Sequence, residues 1–463
     1  MRRAPLALAA LALLLVPAAA AGAASRPLYD VRVFARVPHP GSPEPIVVQP
    51  DGTVYVGTNQ ADKGSDEDIA APSRVFAFSP TGKLLRSYSL LGQRLDENHG
   101  IQGIAPDGDG LLYLLDRSAD PRVVVLDPVS RWRRRYASFH DVPTCSAAGR
   151  TTDCSATVND NPAGPDYAVF APGGAMYVTD IDQALIWRVP PGGGRAEVWF
   201  TDPRLESLFG PNGIQVLGDG RTLLFVNSAS NPQAGNATTG RLYRLPIEPS
   251  GRPGQLTQLW ESRPLDGPDG FAVGRSGRLY VALAAANQMV VISPAGAELA
   301  RFPATPAQNE MQEIPFDGPA SAAFYGERVL VTNQGFPRAT PEHWAVLDVF
   351  AGEPGLPLFR PFVAAPRPRT RPLPRLRLVV QPTQAVVGER TRFDFRATLR
   401  GQPVSGARVV LAGRDATTGK DGRAVLRFRP EHAGLRHPFA LVRSGALPGA
   451  AAVRFVKAAA SGS

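Results

Sequence analysis

Six segments of this 463-residue chain place a chemically able residue at one equivalent step before a β-rich run. PEPIVV, HGIQGI, PDYAVF, PNGIQV, PDGFAV and PASAAF offer Glu44, His99, Asp166, Asn212, Asp269 and Ala320 in turn. These lie 11, 14, 11, 13, 11 and 10 residues ahead of an equivalent aromatic residue or leucine. Five of the six are polar and three are carboxylates. If the segments converge on one space, unscreened carboxylates there repel and raise one another's pKa, and a cation relieves the conflict. Oxygen ligands without cysteine and with at most one histidine favour a hard divalent ion, calcium first, over zinc or copper. The plainer reading is that such residues cap strand ends or bond exposed backbone at a rim, since Asp, Asn and Pro are common in turns.

Convergence needs a repeat, and the chain carries one. GTVYVGT (52–58), GLLYLLD (110–116), GAMYVTD (174–180), RTLLFVN (221–227), GRLYVAL (277–283) and RVLVTN (328–333) recur at spacings near 50 to 60 residues. Each is followed by a further strand, a Pro/Gly turn and another strand, as in VFAFSPTGKLLRSY and MVVISPAGAELARF. Four strands per unit of this length is the signature of a propeller blade. An all-β fold is therefore expected, with a six-bladed β-propeller over residues 27–364. Its inner strands would bring the six positions to the mouth of one channel. The ring can close in two ways: the strand at Tyr29 to Val37 adds to the last blade, or the last blade ends with its own LPLFRPF.

On the motifs PEPI, GPNGI and GPDGF the chain resembles the senescence-marker-protein/gluconolactonase (regucalcin-like) family of six-bladed, calcium-dependent lactonases. That resemblance implies one divalent metal, calcium preferred, held by Glu44, Asn212 and Asp269. It places Asp166 at a substrate-contacting position where the family has Asn, and PEPI departs from the family's usual Glu-Gly-Pro. The implied chemistry is hydrolysis of a lactone or small ester, with the cation polarising the carbonyl and a carboxylate deprotonating water. Asp269 is the candidate base. His99 is a second candidate base or a substrate-orienting group, or a satisfied rim histidine. The alternative function is a non-catalytic ligand-binding or adhesion propeller with a structural cation.

The rest of the chain sets the context. Residues 1–24 have the layout of a secretory signal peptide: Arg2 and Arg3, an apolar run too short to span a bilayer, then small residues. A secreted protein without a transmembrane anchor is expected, in which Cys145 and Cys154 form a disulfide. Residues 365–375 read as a Pro/Arg-rich linker. Short strands over 376–458 resemble a bacterial immunoglobulin-like β-sandwich, and 459–463 read as a disordered tail. The net charge of +9 is divided unevenly. Residues 365–463 hold 19 Lys+Arg against 5 Asp+Glu, whereas the propeller is acidic. The basic domain suits an anionic cell-wall polymer or the acidic propeller itself. The cluster RWRRR (131–135) is expected on an outer turn and carries no aromatic stripe, which argues against nucleic acid. Asp116 and Asp180 end strands and are expected to bond their own backbone. No G-x-S-x-G elbow, Walker motif or dinucleotide fingerprint occurs in the required context.

Overall fold

The computed structural model describes residues 26–59, 71–145, 153–155, 161–207, 209–229, 239–335, 340–363, 375–442, 446 and 449–458. The expected signal peptide, nearly all of the Pro/Arg-rich linker and the 459–463 tail lie outside the described residues. The structure is almost wholly β, and no helix among the described residues is long and apolar enough to cross a membrane.

Each repeated run forms the second strand of a four-stranded antiparallel meander. The first meander is Ser42–Val48, Val54–Asn59, Arg74–Phe78 and Leu84–Ser89. The second is Gly100–Pro106, Leu112–Arg117, Arg122–Leu126 and Arg133–Ser138. The third is Pro165–Phe170, Met176–Asp180, Leu185–Val189 and Glu197–Thr201, and the fourth is Pro211–Val216, Thr222–Asn227, Arg241–Pro246 and Thr257–Glu261. The fifth is Pro268–Val273, Leu279–Leu283, Gln288–Ile292 and Glu298–Phe302. The sixth joins Pro319–Tyr325, Arg328–Asn333 and Ala345–Phe350 to the N-terminal strand Val31–Arg36. A single pairing, Asn59 with Gly100, merges the first two into one larger sheet.

Alternation along the second strands explains where the core lies. In the first meander Val54 and Val56 pack with Leu330 and Val346 of the sixth. Tyr55, between them, packs with Ile101 and Leu112 of the second. Both faces of a meander are therefore apolar, and the core is divided into clusters between successive sheets. Burial of each large aliphatic or aromatic side chain there contributes about 1.5–3 kcal/mol. The first strands of successive meanders touch in a closed cycle, giving a propeller-like ring.

The N-terminal strand closes that ring. Val31–Arg36 pairs antiparallel with Ala345–Phe350, and Arg26 adds an ion pair to Asp348 at 2.6 Å. The segment LPLFRPF is not the closing strand. It crosses the end of the channel, from a bridge between Gly274 and Gly355 to a bond from the Gly108 amide to the Pro361 carbonyl at 2.9 Å. Leu356, Leu358 and Phe359 dock on three different inter-sheet clusters as it passes.

Cys145 and Cys154 are disulfide-bonded as expected. Closing so short a loop stabilises the fold by about 2–3 kcal/mol. Beyond Leu376 a separate set of small sheets surrounds its own core of Phe393, Phe395, Phe428 and Phe455.

Candidate functional site

The inner strand of every meander slips register against its second strand at one place. The shifts fall between Pro43 and Ile46, Ile101 and Gly103, Pro165 and Ala168, Pro211 and Ile214, Pro268 and Phe271, and Pro319 and Ala322. A bulge takes residues off the ladder and re-aims their side chains. Glu44, Asp166, Asn212, Asp269 and Ala320 all sit at this bulge, as the repeat alignment expects.

In the second meander the bulged residue is Gln102, not His99. Gln102 lies 11 residues ahead of Tyr113, the same offset as Glu44, Asp166 and Asp269. That regularity is the sequence signal for Gln102, whereas the histidine three residues earlier stands at an offset of 14. His99 is buried at the strand entry, where its Nδ1 lies 2.7 Å from the Glu97 carbonyl and its Nε2 lies 2.9 Å from the Ala71 carbonyl. Both ring nitrogens meet backbone oxygens. The candidate roles of His99 as base and as substrate contact therefore find no available nitrogen in this arrangement.

The remaining ring residues do meet. Gln102 Nε2 donates to Asp166 Oδ1 at 3.2 Å, between two side chains that are at least 96% buried. Burial first, then the charges of Asp269 and Glu44, pushes the Asp166 carboxyl well above the ordinary carboxylate range. Carboxylates from the first, third and fifth meanders thus act on one another. Asn212 is also buried, and its Nδ2 donates to Ser228 Oγ at 3.0 Å. Asp180, by contrast, accepts from the amides of Gly164 and Gln183 and from Trp187 Nε1, the backbone-terminating role expected of it.

One residue of the site has no motif to announce it. Tyr167 follows Asp166 and crosses the channel, its hydroxyl 3.2 Å from Asp269 Oδ1 and 3.3 Å from the Ala320 carbonyl. Gly270 makes room for it, since a Cβ there would lie 2.5 Å from the hydroxyl oxygen. Burial, followed by the charges of Asp269, Glu44 and Asp166, raises the phenol well above its usual value. Pro45, Tyr167 and Ser321 border a cavity of about 290 Å³, which is lined farther along by Ile46, Ile104, Ile214 and Phe271 and at its other end by residues 354–360.

The donor set is one a hard cation accepts: carboxylate and amide oxygens without sulfur. Asp166 Oδ2 and Asn212 Oδ1 are buried and have no hydrogen-bond partner among the described residues, so oxygen valence is available at the ring. No three His, Cys, Asp or Glu side chains among the described residues stand close enough to form a ligand group by themselves. The fit is one of donor chemistry, with an amide as a member, and not of a preformed acidic cage.

No family model matches the chain, and no curated protein matches it. Among solved structures it is similar to regucalcin, a calcium-binding protein from Agrobacterium tumefaciens, at 18% identity over 72% of this chain and 97% of that one, with a TM-score of 0.49. It is also similar to virginiamycin B lyase from Staphylococcus aureus, at 15% identity over 70% and 99% of the two chains and a TM-score of 0.44. A gluconolactonase from Xanthomonas campestris aligns at 16% identity over 70% and 99%, with a TM-score of 0.42.

Proposed function

We propose that this chain is a secreted, metal-dependent hydrolase of a lactone or small ester, built as a six-bladed propeller followed by an immunoglobulin-like sandwich. What supports this reading is the placement of Glu44, Asp166 and Asp269 at one bulge position in three meanders, where the charges of Asp269 and Glu44 add to burial in raising the Asp166 carboxyl. Such a concentration of negative charge is costly unless a positive group shares the space.

Glu44, Asn212 and Asp269 would hold the cation, calcium before magnesium or manganese. When bound, it would polarise the substrate carbonyl and ease deprotonation of water. Asp269 takes the proton of the attacking water as general base. Tyr167 fixes the Asp269 carboxylate by its hydrogen bond and walls off the cavity beneath the ring. Asp166, held by Gln102, offers its second oxygen to a substrate hydroxyl.

A second reading has an observation in its favour. The polar groups of the ring already bond in pairs, Gln102 to Asp166, Tyr167 to Asp269 and Asn212 to Ser228, as a non-catalytic binding propeller with a structural cation would require. The test is to strip the protein with chelator, restore Ca²⁺, and assay aldonolactones, homoserine lactones and aryl esters alongside Asp269→Asn and Glu44→Gln. Metal-restored turnover that both variants lose supports the hydrolase. Metal binding by calorimetry without turnover on any substrate supports the binding propeller and overturns the enzyme.

A further inference from the structure

The C-terminal unit carries a face that the ring chemistry leaves unused. Leu376–Gln381, Thr391–Leu399 and Arg423–Phe428 form one antiparallel sheet with strict alternation. Leu378, Val380, Phe393, Phe395, Leu426 and Phe428 turn into the core. Arg377, Arg392, Arg396, Arg423 and Arg427 are exposed. Register then sets Arg392 directly opposite Arg427 and Arg396 directly opposite Arg423. Like charges facing each other across an antiparallel pair are destabilising, so this arrangement costs the isolated fold stability.

Compensation within the protein is small. Asp394 is the one acid in these three strands; it accepts from Arg392 Nη2 at 2.7 Å, and that bond, then the charges of Arg392, Arg427 and Arg423, holds its carboxyl below the usual range. Asp421 lies 3.9 Å from Arg423 at the sheet edge. Arg377, Arg396 and Arg427 have no ion-pair partner among the described residues. Five guanidinium groups therefore share a shallow, extended surface with a single interior carboxylate.

We propose that this face binds an anionic polysaccharide through its carboxylates. Guanidinium forks match carboxylates bidentately, and four residues of strand separate Arg392 from Arg396 by about 13 Å, so an extended polymer can engage both opposed pairs. Nucleic acid fits less well. The aromatic residues of these strands are turned inward, which leaves no platform on which bases could stack. The charge excess of the region suits any polyanion, and the export layout of the N-terminus favours a polysaccharide among them.

The test uses the full chain on immobilised polygalacturonate across a salt series, with R396Q/R427Q and R396K/R427K for comparison. Wild type binds at low salt and weakens as salt rises. R396Q/R427Q binds at least tenfold more weakly while its Tm is unchanged or raised, because one member of each opposed pair is gone. R396K/R427K, which keeps the charge but loses the forks, falls between. Absence of wild-type binding at low salt, equal binding by the glutamine variant, or tighter binding to duplex DNA than to polygalacturonate overturns the proposal. A glutamine variant with a lowered Tm also overturns it, since the arginines would then be serving the fold.

Discussion

The hydroxyl of Tyr167, on the third meander, lies 3.2 Å from Asp269 Oδ1 on the fifth, 102 residues along the chain. The bond spans the channel and skips the fourth meander. It ties a phenol that no motif marks to the carboxylate assigned as the base, and it places an aromatic ring between the polar mouth and the cavity below.

Removing that hydroxyl tests the tie. Tyr167→Phe keeps the ring in the channel but deletes the donor to a carboxylate, which is worth about 1.5–3 kcal/mol. Urea unfolding should show a loss of that order, and the loss should largely disappear when Asp269 is already Leu. Equal losses in both backgrounds would mean that the two residues are not coupled.

Gln102→Leu separates the ring residue found by register from the histidine favoured by reactivity. The change leaves Asp166 buried without its donor, so a loss of about 1–3 kcal/mol is expected, with partial recovery in the Gln102→Leu/Asp166→Leu pair. Chemical denaturation of the three proteins reads this directly. No loss in the single variant would show that the bond does not hold Asp166.

Asp107 gives a pH signature remote from the ring. It accepts the amides of Asp109 and Leu111, each at 2.9 Å, and burial, the largest influence, raises its pKa to about 6. The folded value exceeds the unfolded one, so folding takes up a proton between about pH 4 and pH 6. This contribution is fully present below the unfolded value and is lost as pH rises through 6. Asp107→Asn should remove a stability decrease of the order of 2 kcal/mol between pH 4 and pH 7.5, measured as the difference between paired denaturation curves. Parallel curves for the two proteins would exclude Asp107 as the source.

Arg360 anchors the segment that crosses the channel. Its Nη2 donates to the Val48 carbonyl at 2.6 Å and its Nη1 to Gln49 Oε1, while burial lowers its pKa to about 10. Arg360→Met keeps the bulk and leaves the Val48 carbonyl unpaired, at a cost of about 1–3 kcal/mol. Limited proteolysis should then cut within residues 354–363 faster than in wild type. An unchanged cleavage rate would locate the anchoring in Leu356, Leu358 and Phe359 instead.

Much of the architecture is legible in the residues themselves. The runs around Tyr55, Tyr113 and Tyr280 are second strands because β-branched and aromatic residues there serve two neighbouring cores at once, and the Pro/Gly turns between them are local. The disulfide follows from two cysteines in one polar loop. Glu44, Asp166, Asn212 and Asp269 could be picked out because a repeat maps sequence offset onto position in space. In the second meander the segment HGIQGI holds both His99 and Gln102, and only the 11-residue offset to Tyr113 singles out Gln102 as the bulged residue.

Sequence alone determined the periodicity, the strand character and the polar identity of the mouth, since each depends on neighbours within one unit. Tertiary structure alone decided which strand closes the ring, that 354–363 spans the channel, and that Tyr167 reaches Asp269 from another sheet. Those outcomes depend on contacts between segments hundreds of residues apart, where either end could have been satisfied locally and only the closed ring makes one arrangement bury more apolar surface with every ladder paired.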